Sequence, residues 1–149
     1  MDKQLFQKLK LLQADQKPSF GIMTPQHMVE HLILTLKLSQ GKIQVPTIKP
    51  TPEALAIKHN IIVEKENIPR GIQAPGTNST LLPLRYNSLE EAKAELLKAW
   101  QQFELYYFQH TDATNVHPFF GELNYSEWKS FHSKHFQHHF SQFDIDFKH

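Results

Sequence analysis

His135 and His139 stand four residues apart in the run His135-Phe136-Gln137-His138-His139, inside a segment whose apolar residues recur with helical period. On a helix that spacing puts two Cβ atoms roughly 5–6 Å apart on one face, which suits two ligands of one metal ion. His27 and His31 repeat the same spacing nearer the N-terminus. A three-ligand site needs two residues from the later pair and one from the earlier, and facing helices can bring His31 against His135 and His139. The ordinary reading of an inward histidine is a hydrogen-bonded core residue, and one such pair alone is a weak motif. Two pairs in tandem shift the balance toward a metal.

A helical wheel at about 100° per residue places Trp128, Phe131, His132, His135, His139 and Gln142 in one stripe, with Phe136, Phe140 and Phe143 beside it. Imidazoles facing inward among aromatics are costly to bury unless each finds a hydrogen bond, a charge or a metal. His27, His132 and His138 are expected at the surface or behind the ligands. Gln142, one turn after His139, is either an ordinary polar helix residue or one that orients a ligand or contacts substrate. Glu30, next to His31, is a second candidate for that supporting role.

The elements that must position these residues are mostly helical. Leu5, Leu9 and Leu12 predict a first helix from Asp2 to Ala14, ending before Lys17-Pro18. A second starts at Thr24-Pro25, a good N-cap followed by proline at the first helical position, and runs to Gly41. From Gly41 to Asn87 the prolines at 46, 50, 52, 69, 75 and 83, with Gly71 and Gly76, interrupt anything long. A short helix is expected at Thr51-Pro52-Glu53, and Ile61-Ile62-Val63 suits an extended segment. Ser88 with Glu91 makes a capping box for a third long helix toward His110, with Trp100, Tyr106 and Tyr107 in the core. After a loop holding His117-Pro118-Phe119-Phe120-Gly121, Asn124 with Glu127 opens a fourth helix that runs to about Phe143.

This order predicts an all-α single domain over residues 1–149, a four-helix bundle. A connector of some 45 residues is not needed between antiparallel neighbours, so the second and third helices are expected to run parallel, joined by a crossover. Sixteen basic and fifteen acidic residues are scattered through the chain, which argues against nucleic acid or anionic lipid as a partner. No stretch approaches the ~18 apolar residues of a membrane span, and the N-terminus has no signal-peptide pattern, so a cytoplasmic location is expected. Absence of cysteine removes disulfides, thiolate ligands and a cysteine nucleophile; any thiol chemistry would use a thiol from outside. Eleven phenylalanines either complete the core or leave an apolar patch for a second subunit, a homodimer. The tail Phe143-Asp144-Ile145-Asp146-Phe147 either packs back or frays.

The segments Lys17-Pro18-Ser19-Phe20-Gly21-Ile22-Met23-Thr24-Pro25, Met28-Val29-Glu30-His31-Leu32, His117-Pro118-Phe119-Phe120-Gly121, Trp128 and His135 through Phe143, in that order, resemble the DinB/YfiT superfamily of bundle metalloproteins, in particular a branch of unknown function. The resemblance implies up-down-down-up topology and a divalent metal, zinc or nickel, on His31, His135 and His139, with Gln142 at the matching glutamine. Phe140 and Ser141 replace the arginine and glycine common in that family, which puts an arginine-dependent substrate contact in doubt. It further implies a thiol-dependent transferase in which the metal activates a low-molecular-weight thiol such as bacillithiol, mycothiol or glutathione.

Three functions follow. The first is a metal-dependent enzyme, in which an external thiol or water attacks a small electrophilic substrate and His117 or His27 assists as acid or base. It requires an open coordination position, and a fourth protein ligand such as His27 would sink it. The second is a structural metal protein or ligand-binding bundle without turnover. The third is a metal-free polar network sharing protons with Glu30 or Glu127.

Overall fold

Local capping chemistry fixes the starts of the long helices. The computed structural model describes residues 1–70 and 81–147, so Gly71, Pro75 and Gly76 lie outside the described residues. Helix α2 spans Pro25–Ser39, with the Thr24 side chain accepting from the His27 amide and proline in the first turn. Helix α4 spans Leu89–Gln109, where the Ser88 hydroxyl accepts from Glu91 N–H and the Glu91 carboxylate accepts from Asn87 N–H. Helix α5 spans Tyr125–Ser141 under a complete capping box of Asn124 and Glu127. Each cap satisfies donors that a helix start would otherwise leave bare.

Two helical expectations change in extent. Helix α1 covers only Asp2–Leu9 and not the stretch to Ala14. Lys93 Nζ donates to the Leu12 carbonyl at 2.6 Å, so Leu12 leaves the helix while its side chain stays buried. Helix α3, Pro52–Lys58 under the Thr51 cap, is the short helix expected there. It runs directly into a π-helical segment, His59–Val63, where Ile61-Ile62-Val63 was expected to be extended. Ile61 and Ile62 are buried, so packing of the helical continuation outweighs the β preference of branched residues.

The chain is mostly helical, but not wholly so. Strands β1, Asn115–His117, and β2, Gly121–Leu123, form an antiparallel hairpin with Val116 opposite Glu122, in place of the loop expected there. Its turn allows close approach: Gly121 has φ +79°, and a Cβ there would lie 2.8 Å from Pro50.

Helix α2 packs against α4, α5 and β1, while α1 lies on α4 and the π-helical segment on α5. Trp100, Phe103, Trp128, Phe136 and Phe140 are fully buried between them, each stabilising by about 1.5–3 kcal/mol. The tail packs back. Helix α5 closes on Asp144 in the left-handed region, φ 58°, with the Ile145 amide returning to the Phe140 carbonyl in a Schellman-type turn. That turn buries Phe147 against Phe136 and Phe140. Among the described residues no helix is long and apolar enough to cross a membrane.

Candidate metal centre

Helices α2 and α5 present His31, His135 and His139 to one point. The His31 and His135 Nε2 atoms are 3.0 Å apart, as are those of His135 and His139. One nitrogen from each of the three lies within 4.8 Å of the others. Among the described residues these three form the one cluster of histidine or carboxylate groups suited to a metal ion, and His27 does not join it.

Partners dictate the tautomers. His139 Nδ1 lies 2.7 Å from Gln142 Oε1, which can only accept, so Nδ1 carries the proton and Nε2 presents a lone pair. His135 Nδ1 is buried with no hydrogen-bond partner. Its Nε2 faces two neighbours at once, and a single proton there is the most that three crowded nitrogens could share. A cation would engage all three lone pairs. Donors held 2.0–2.1 Å from a tetrahedral ion stand about 3.3 Å apart, close to the two 3.0 Å separations, so the donor set fits a divalent metal.

Burial keeps the imidazoles neutral. It lowers the His31 pKa to about 4, helped by the charge of His138. It holds His135 and His139 well below the usual histidine range, with each further opposed by its histidine neighbours. Neutral, unprotonated nitrogens are what a metal requires. The Phe131 ring stacks on His135 at 4.9 Å, and Gly21 leaves the room that the Gln142 side chain occupies. With φ +79°, Gly21 sits where a Cβ would come 2.7 Å from Gln142 Nε2. The carbonyl of Gln142 also accepts from Ser19 N–H at 2.7 Å.

The triad opens onto a cavity of about 720 Å³ whose walls are chiefly aliphatic and aromatic, including Ile33, Leu34, Ile61 and Phe119. His135 and His139 are 8% and 7% exposed, while His31 is more open. The supporting candidates occupy other places. His27 and Glu30 reach the cavity wall, but His27 Nδ1 is engaged by Thr24 Oγ1 at 2.6 Å. Glu30 accepts from the amides of Arg85 and Tyr86 and from the Gln26 side chain. Adjacent positions on a helix diverge by about 100°, so the Glu30 carboxylate ties down the end of the connector and is not a partner of His31. Glu127 is spent in the α5 cap and an ion pair with Lys58.

His117 also lines the cavity, and its Nδ1 accepts from the amides of Phe119 and Phe120, organising the hairpin turn. Burial lowers its pKa to about 3. His132 is 0% exposed. Of its two expected places burial excludes the surface alone. Its Nε2 lies 2.9 Å from Ser39 Oγ; since that hydroxyl donates to the Leu36 carbonyl, His132 is the donor. Ser39 and Asn115, which binds the Ser39 carbonyl, had no signal in the sequence beyond being polar residues near element ends.

Residues 69–145, which include His117, His135, His139 and Gln142 but not His31, match a family described as Protein of unknown function (DUF1569). No curated protein and no solved structure matches the chain.

Proposed function

The chain belongs to the DUF1569 family, and on the geometry of its site we propose that it is a divalent-metal-dependent enzyme acting on a small electrophilic substrate. The observation that carries this reading is the convergence of three imidazole Nε2 atoms, 3.0 Å apart in two pairs, at the wall of an apolar cavity. No fourth histidine or carboxylate among the described residues joins them. The DinB/YfiT resemblance marks the same three positions. The frame we assign to the site is a four-helix bundle of α1, α2, α4 and α5 in up-down-down-up order, in a cytoplasmic protein.

A divalent ion held there would supply Lewis-acid chemistry, lowering the pKa of a water or an external low-molecular-weight thiol and polarising the electrophile. Zinc or nickel suits three imidazoles. The chain's own contributions are positional. Gln142 holds His139 with Nε2 aimed at its two neighbours, and the apolar walls limit water near the reacting atoms. With Nδ1 committed to two amides, His117 keeps its one proton on Nε2 and serves as a neutral hydrogen-bond donor to substrate. His27, at the cavity wall, is the second assisting residue.

Gln142→Ala is expected to weaken metal binding about 10–100-fold, as loss of a partner behind a ligating histidine does elsewhere; competition with a chromogenic chelator measures it. Turnover is tested by incubating zinc- or nickel-loaded protein with bacillithiol or glutathione and a panel of apolar electrophiles and activated esters. A rate that needs the metal and vanishes in His139→Ala supports the enzyme. The second reading, a structural metal, is favoured by one observation: His31 on α2 and the pair on α5 would be tied together by the ion. Under that reading the metal raises thermal stability and nothing in the panel is consumed.

A further inference from the structure

Lysines on helices usually run their stems along the surface and keep the ammonium in water. Lys134, in the middle of α5, is only 9% exposed. Its Nζ has two long contacts, 3.4 Å each, to the neutral side-chain oxygens of Asn67 and Gln137, beyond the usual range for such a bond. Among the described residues the ion pairs are Lys58–Glu127, His59–Glu64, Lys93–Glu90 and Lys129–Glu104, none involving Lys134, Lys65 or Arg70. A part-buried ammonium with no anion beside it among the described residues gives up hydration without compensation.

Lys134 faces a recess of about 240 Å³ that it shares with Arg70, His138 and Ser141. The Arg70 guanidinium lies over the Phe20 ring, 3.9 Å from its centre, and Phe20 meets His138 edge-on at 5.4 Å. Stacking holds Arg70 in place, and among the described residues no carboxylate pairs with its planar fork of donors, which suits it to a ligand. We propose that this recess is an oxyanion-binding site, which takes the carboxylate or phosphate group of a small molecule between Lys134 and Arg70. Arg70 and His138 also line the larger cavity, so the two spaces share a wall. The anion site stands without the metal reading; together they describe a cavity ligand that is apolar along its body and anionic at one end.

The test is titration of the full chain with inorganic phosphate and, separately, succinate, at ionic strength held constant with sodium chloride, followed by calorimetry and thermal melting. Saturable binding by either anion is expected, lost in Lys134→Met and at least tenfold weaker in Arg70→Gln. It should persist in His139→Ala, so failure of the metal reading leaves this result intact. In chloride buffer alone Lys134→Met should melt at or above the wild-type temperature, because it removes an uncompensated charge. A response to phosphate alone assigns a phosphoryl group, to succinate alone a carboxylate, and either supports the site. No saturable binding by either anion, or equal binding in Lys134→Met and Arg70→Gln, overturns it; Arg70 is exposed, so that variant remains informative if Lys134→Met does not fold.

Discussion

Protein stripped with a chelator and reloaded with zinc or nickel is expected to retain one equivalent of metal per chain after dialysis, and His31→Ala, His135→Ala and His139→Ala to retain none. Each variant leaves two imidazoles, and the loss should exceed the 10–100-fold typical of removing an outer-shell partner. Removing His139 also leaves the Gln142 oxygen without its donor. Thermal melting adds a second readout. Metal at about 1,000 times its Kd stabilises the folded state by ~4 kcal/mol, and about 2–4 °C per kcal/mol at this size gives a rise on the order of 10 °C in the wild type. The three variants should show no rise. Elemental analysis finding no retained metal in the reloaded wild type, or the same content in the variants, would remove the metal site and the enzyme reading with it.

Metal-free protein is expected to lose stability steeply between pH 6.5 and pH 4.5. His117 and His132 have pKa values lowered to about 3 by burial, against about 6.5 in an unfolded chain. The unfolded chain therefore takes up protons that the folded protein refuses once the pH falls below 6.5. Stability is full above that value and declines until the folded pKa is reached. At pH 5 each of the two costs about 2 kcal/mol, so together ~4 kcal/mol of a domain's typical 5–15 is gone. His132→Gln keeps a polar group near Ser39 and does not titrate, so its melting temperature should depend less on pH than that of the wild type. Parallel profiles for the two proteins would show that His132 does not contribute.

What could be read from the sequence was chemistry that acts within a few residues. Thr24-Pro25, Ser88 with Glu91, and Asn124 with Glu127 open α2, α4 and α5 where expected, because a cap and its helix share one short segment. The triad was legible because the i,i+4 spacing fixes a face. Where long-range contacts decide, the local signal failed. Leu12 leaves α1 for a bond from Lys93, 81 residues away. The hairpin at 115–123 has three-residue strands, too short to show alternation, and is braced by His117 accepting from its own turn. Ile61–Val63 continue a helix that their side chains alone would not favour.

His31 and His135 are 104 residues apart in the chain, so the ligands meet only after α2 and α5 have docked. Closing a loop of that length is entropically expensive before the packing that repays it exists. An ion held this way forms its contacts late on the folding route, so it acts as a brake on unfolding, leaving the refolding rate nearly unchanged while the escape rate falls. Zinc modules whose ligands are near neighbours in sequence behave otherwise, since there the metal organises the chain from the start.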